Sequence, residues 1–107
     1  MRVVMSILDS MPNRELSPQT TPNLWGQATA GGHAPHGATS LMLSVTYSNH
    51  AAFVTGAHPS TTGLWGNHGW VDERFVNTYD AGPRARTLFD DCRDADRRAV
   101  AAVGDHK

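Results

Sequence analysis

The stretch 44–56 holds the residues best suited to chemistry. A polar run lies there between two short apolar runs, an order that predicts a strand, a turn and the start of a helix. Thr46 or Ser48 is placed to cap that helix, and Gly56 to end it. Orphan N–H groups and the dipole at a helix N-terminus attract anions. Thr46 is therefore a candidate nucleophile toward phosphorus and Asn49 a candidate donor to the charged oxygens, unless the hydroxyls serve only as caps.

Asp9 is the second residue of interest. It follows residues 3–8, a short apolar run rich in β-branched side chains, which predicts a buried parallel strand. Open α/β sheets bind their ligands just beyond the carboxyl ends of such strands. Asp9 is thus placed either to bind a metal ion or to cap a turn.

The histidines offer a different metal chemistry. His33 and His36 are three residues apart in a glycine-rich loop, and His58 and His68 lie in a later loop. Their spacing does not repeat, and no third ligand accompanies the first pair. A histidine-rich metal-binding module is therefore the last of the functional hypotheses.

The remaining elements would position these side chains. Apolar runs at residues 3–8, 38–43 and 99–103 predict three strands. Helices are predicted to begin at Thr21-Pro22, within the stretch 44–56, and at Pro83. Alternation of strands and helices indicates an α/β fold with a mostly parallel sheet.

Composition limits the classes of function. The 107 residues fit one domain, and a net charge of −1 gives no reason to expect binding to nucleic-acid polymers. One cysteine excludes an internal disulfide framework. No apolar run is long enough for a membrane span, and no small-residue cleavage site follows the N-terminal apolar run. We therefore expect a cytoplasmic protein.

The order of motifs resembles the N-terminal part of the type I phosphodiesterase/nucleotide pyrophosphatase family, within the alkaline phosphatase superfamily. The motifs that carry the resemblance are Asp9 after an apolar run, Thr21-Pro22-Asn23-Leu24, Thr46-Tyr47-Ser48-Asn49-His50, Val54-Thr55-Gly56, His58-Pro59, and Gly63 with Gly66-Asn67. Each motif is weak alone, and the ordered set is specific. The resemblance implies a partial three-layer α/β/α, alkaline-phosphatase-like fold, with residues 1–107 as a single partial domain.

The resemblance also implies roles for three residues. Asp9 resembles the aspartate that ligates one of two zinc ions, and Thr46 the threonine that attacks phosphorus and touches that metal. Asn49 resembles the asparagine that steadies the phosphoryl oxygens. Coordination to Zn²⁺ would lower the pKa of a threonine hydroxyl and so activate it. The implied substrate is a small phosphorylated molecule.

The sequence departs from the family pattern at two positions, and its set of candidate metal ligands is incomplete. The family commonly has proline where this chain has Ser48, and glycine where it has Ser10. Asp9 and Thr46 alone cannot complete a two-zinc site, and Asp105-His106 comes too early to match the family's later Asp-His pair. We therefore expect an N-terminal fragment of the hydrolase that is inactive as an isolated chain.

Two alternatives remain open. A phosphonoacetate-hydrolase-like enzyme of the same superfamily also has a threonine nucleophile and a Gly-Asn pair like Gly66-Asn67. A non-catalytic α/β domain that binds a phosphorylated ligand would use the helix N-terminus after Thr46 and the later tryptophan-containing loop, without a metal ion.

Overall fold

The computed structural model describes residues 2–103, and the chain divides into two units between Thr39 and Ser40. The prediction of a single partial domain over residues 1–107 stays a prediction. Asp105 and His106 lie outside the described residues.

Within its described residues, 2–39, the first unit contains one 3-10 helix, Asn13–Glu15, and one α-helix, α1, Pro22–Gly31. The predicted helix start is confirmed, with Pro22 in the first turn after Thr21. Thr21 occupies the N-cap position of α1, but its side chain makes no cap hydrogen bond. Its hydroxyl donates instead to the carbonyl oxygen of Glu15, at 2.8 Å, and so ties the 3-10 helix to the start of α1.

The second unit contains four helices and two strands among the described residues. In chain order they are α2, Thr46–Thr55; α3, Pro59–Thr62; β1, His68–Val71; β2, Arg74–Asn77; α4, Thr78–Ala81; and α5, Leu88–Asp94. Helices α3 and α5 both pack against α2, and α4 packs against both strands. The helix that carries Thr46 is therefore central to this unit.

Strands β1 and β2 form an antiparallel hairpin that the sequence did not indicate. Val71 pairs with Arg74, so the connection has two residues, Asp72 and Glu73. Both have positive φ, 48° and 62°, as a type I′ turn requires. Asn and Gly are the usual residues of such a turn, and a charged Asp-Glu pair gives no signal for one.

The strands predicted at residues 3–8, 38–43 and 99–103 are corrected by the structure, which is irregular in all three segments. Most of their apolar side chains are exposed, Val4 to 88%, and Leu41 is half-buried. A strand needs a neighbour to satisfy its N–H and C=O groups, and among residues 2–103 these segments have none. The mixed α/β composition is confirmed, whereas the only sheet among those residues is the antiparallel hairpin.

The helix predicted from Pro83 begins later, at Leu88. Thr87 accepts from the backbone N–H of Asp90, and the Asp90 carboxylate accepts from the backbone N–H of Thr87. This capping box fixes the first turn and sets the helix start. A threonine three residues before an aspartate was the available signal, and the proline four residues earlier obscured it.

Candidate functional site

Thr46 is the first residue of α2. The residue before it, Val45, occupies the N-cap position with extended backbone and has no side-chain cap hydrogen bond. The expectation that Thr46 or Ser48 caps the helix is therefore wrong, since both lie inside the first turn. At the other end, Gly56 has φ 66° and closes the helix in the left-handed conformation, as predicted.

Asn67 supplies the capping interaction that Val45 cannot. Its side-chain Oδ1 accepts a hydrogen bond from the backbone N–H of Tyr47, at 3.2 Å, across 20 residues of sequence. That N–H belongs to the first turn of α2, where intrahelical acceptors are lacking. Because Oδ1 accepts, the Nδ2 amino group of Asn67 remains for an acceptor beside the start of α2.

Sequence reasoning missed this function of Asn67. The Gly66-Asn67 pair was noted as a motif, but only as a mark of resemblance. A capping side chain that comes from a distant loop has no local spacing signature, in contrast to a capping box. The signal available was the absence of a capping residue at Val45.

The side chain of Asn49 makes hydrogen bonds to backbone groups near the start of α2. Its Oδ1 accepts from the backbone N–H of Leu41, at 3.1 Å. Its Nδ2 donates to the carbonyl oxygens of Val45, at 2.9 Å, and Leu43, at 3.4 Å. The carboxamide therefore holds the segment before α2 against the helix, and its amino group is already used by two carbonyls.

Ser48 is buried, at 1% exposure, in the third position of α2. Its Oγ has no hydrogen-bond partner within the described part of the chain. A buried hydroxyl without a partner costs free energy relative to a hydroxyl in water. This is the position at which the resembled family commonly has proline.

Two tyrosine rings lie beside the start of α2. The ring centroids of Tyr47 and Tyr79 are 5.7 Å apart, with the planes inclined by 44°. Tyr79 follows Thr78 at the start of α4, and its backbone N–H donates to the Asn77 side chain. The start of α2 and the start of α4 are thereby in contact.

Asp9 belongs to the first unit, at the end of the irregular segment 2–8, whereas Thr46 and Asn49 belong to the second. One oxygen of Asp9 accepts from the backbone N–H of Ser10, at 2.8 Å. Ser10 has φ 61°, so the chain turns there. This contact lies within the turn at residues 9 and 10.

The described residues do not form a complete metal site. Among residues 2–103, no three His, Cys, Asp or Glu side chains are grouped so that they could hold a metal ion. His33 instead lies with its ring 5.5 Å from the ring of Trp25. The histidine-rich module thus has no grouped ligand set in that range.

Comparison with known proteins identifies a family. The sequence model of the type I phosphodiesterase / nucleotide pyrophosphatase family matches residues 3–102. The chain belongs to this family. Neither the curated proteins nor the solved structures gave a match. The match covers both units, and it includes Asp9, Thr46, Asn49 and Asn67.

Membership of the family supports a hydrolase-like protein, and proteins of this family are generally metal-dependent. No helix in the described part of the chain is long and apolar enough to cross a bilayer.

Proposed function

We propose that this chain is the nucleophile-bearing N-terminal segment of a metal-dependent phosphodiesterase or nucleotide pyrophosphatase. The observation that carries the proposal is Thr46 at the first position of α2 within a family match that spans residues 3–102. The substrate is a small phosphorylated molecule. In the complete hydrolase, the apolar segments at 3–8, 38–43 and 99–103 pair in a mostly parallel sheet of a three-layer α/β/α fold.

The start of α2 suits a reaction at phosphorus. The first-turn N–H groups and the helix dipole favour negative charge, and Val45 brings no side chain that competes for this position. In the proposed reaction Thr46 Oγ forms a bond to phosphorus as the bond to the leaving oxygen breaks, and the hydroxyl proton passes through solvent to the leaving group. Water then cleaves the phosphothreonine ester and restores the hydroxyl.

Two asparagines are candidates for the donor that stabilises the phosphoryl oxygens. Asn49 was the sequence prediction and stays one, but its amino group would have to leave the carbonyls of Val45 and Leu43. The Asn67 carboxamide is held by the N–H next to Thr46 and keeps its amino group for an acceptor. This geometry favours Asn67 as the donor and Asn49 as a support for the segment before α2.

The metal requirement is part of the proposal. The implied cofactor is a pair of zinc ions, toward which this chain offers the carboxylate of Asp9 and the hydroxyl of Thr46. Two oxygen groups fall short of the three protein ligands that each catalytic zinc needs. We therefore propose that the isolated chain has no turnover.

The test uses the complete hydrolase with a bis-aryl phosphate as substrate. Thr46→Ala should lower kcat by about a thousandfold or more, because the attacking oxygen is lost. Thr55→Ala is the matched control: it removes a hydroxyl from the other end of the same helix, where Thr55 Oγ1 donates to the Ala51 carbonyl oxygen. Activity retained by Thr46→Ala, or an equal loss of activity in both variants, would refute the assignment of Thr46 as the nucleophile.

A non-catalytic phosphate-binding domain is the second candidate. The incomplete metal ligand set among residues 2–103 favours it, together with the anion-attracting start of α2. It predicts that the isolated chain binds a nucleoside monophosphate without zinc, with an affinity that Asp9→Asn leaves unchanged. The phosphonoacetate-hydrolase-like alternative shares Thr46 and the Gly66-Asn67 pair, and it is separated from the leading proposal by substrate preference alone.

A further inference from the structure

We propose that Thr78 is a positioning residue for Thr46, and that it acts through Asn67 on the first turn of α2. Three hydrogen bonds connect Thr78 to the first turn of α2. Thr78 holds the backbone of Gly66 and Asn67, and the Asn67 side chain holds the N–H of Tyr47. These contacts do not depend on the proposed function. Only the role assigned to them, orienting Thr46 as the nucleophile, rests on it.

Thr78 fixes two consecutive peptide units. Its Oγ1 donates to the carbonyl oxygen of Gly66, at 2.5 Å, and its backbone N–H donates to the carbonyl oxygen of Asn67, at 3.1 Å. Two bonds from one residue prevent the chain at Gly66 and Asn67 from rotating. The side chain of Thr78 is buried, at 3% exposure, so water does not compete for these bonds.

The bonds from Thr78 determine where the Asn67 carboxamide points. Asn67 lies in the connection between α3 and β1 and would otherwise be free to reorient with its loop. With both carbonyls held, the carboxamide Oδ1 meets the Tyr47 N–H at 3.2 Å. Val45 offers no side-chain cap, so this bond from a distant loop takes the place of a local cap at the first turn of α2.

A threonine suits this position better than other small residues. Its hydroxyl is the donor to Gly66, while its methyl group packs over Gly69 of β1, where an added Cβ would lie 3.5 Å from Thr78 Cγ2. The methyl contact selects the rotamer that turns Oγ1 toward Gly66. Valine would keep the packing and lose the donor, whereas serine would keep the donor.

The experiment measures amide hydrogen exchange and ¹⁵N chemical shifts of Thr46 and Tyr47 by NMR on the 107-residue chain. Thr78→Val should speed exchange of the Tyr47 N–H about three- to tenfold, the loss expected from one net hydrogen bond. Thr78→Ser should restore most of the protection. Asn67→Ala should produce the same increase, and the double variant should add little, because both changes break one connection.

Thr62→Val is the matched control. Thr62 is as buried as Thr78, at 1% exposure, and its Oγ1 accepts from the backbone N–H of Leu64, away from the start of α2. Unchanged Tyr47 exchange in Thr62→Val, with faster exchange in Thr78→Val, supports the proposal. Equal effects in both, no effect of Thr78→Val, or no rescue by serine would overturn it. These readouts require no turnover, so a failure of Thr46 as nucleophile would be seen separately in the hydrolysis assay.

Discussion

Ser48 provides a quantitative test of the packing around α2. Its hydroxyl is 1% exposed, and no partner for it exists within the described part of the chain. An unsatisfied buried polar group costs about 1–3 kcal/mol relative to the same group in water. Ser48→Ala removes that group and keeps the Cβ, and alanine also has the higher helix propensity, by up to about 0.5 kcal/mol.

The small void left by one oxygen atom offsets part of this gain. We therefore expect Ser48→Ala to raise the free energy of unfolding by about 1–2 kcal/mol. For a chain of this size the midpoint of thermal unfolding should rise by roughly 5–10 °C. Most substitutions lower the free energy of unfolding. An increase for Ser48→Ala would therefore support this explanation over a nonspecific effect of mutation.

The assay is urea unfolding of the isolated chain followed by far-UV circular dichroism. A higher midpoint with an unchanged slope reports a change in stability alone. Ser60→Ala is the control, because Ser60 lies on the exposed side of the short helix α3, where a change within about 0.5 kcal/mol is expected. A lower midpoint for Ser48→Ala would refute the reasoning, since it would mean that the hydroxyl makes a stabilising bond.

Three further predictions concern other parts of the chain. The backbone N–H of Thr87 first, then its hydroxyl and the Arg93 guanidinium, lower the pKa of Asp90 from 3.8 to about 2. The start of α5 should therefore be fully stabilised above about pH 4 and should lose this stabilisation as the pH falls through about 2. Circular dichroism measures this as a loss of helix content, and Asp90→Asn should remove the pH dependence. Glu73→Gly should stabilise the hairpin by about 1 kcal/mol, because glycine adopts positive φ without strain, and a lower urea midpoint would contradict this. A chelator should abolish phosphodiester hydrolysis by the complete hydrolase and added Zn²⁺ should restore it; activity that resists chelation would remove the metal requirement.

The boundaries of α2 could be predicted because local residues determine them. The change from apolar to polar residues indicated the start, and Gly56 supplied the left-handed end. The same holds for α1, where Pro22 occupies the first turn. The details of the caps did not follow from the pattern: the N-cap of α2 is Val45, and the Thr21 side chain makes no cap bond at the start of α1.

The contacts around the candidate site could not be predicted in the same way. The bond between Asn67 and Tyr47 spans 20 residues, and no spacing rule covers a cap from a distant loop. The hairpin has no local sequence signal, because Asp72 and Glu73 adopt positive φ without the glycine or asparagine that usually marks such a turn. The apolar runs were interpreted as strands from composition, but a strand also depends on a partner, which composition does not supply.

The central claim is that Thr46 attacks phosphorus. The most direct measurement is mass spectrometry of the complete hydrolase after rapid acid quenching during turnover of a bis-aryl phosphate. We expect an aryl phosphate adduct on the peptide that contains Thr46, and no adduct on that peptide in Thr46→Ala. An adduct on a different residue, or continued hydrolysis by Thr46→Ala without any adduct, would contradict the account.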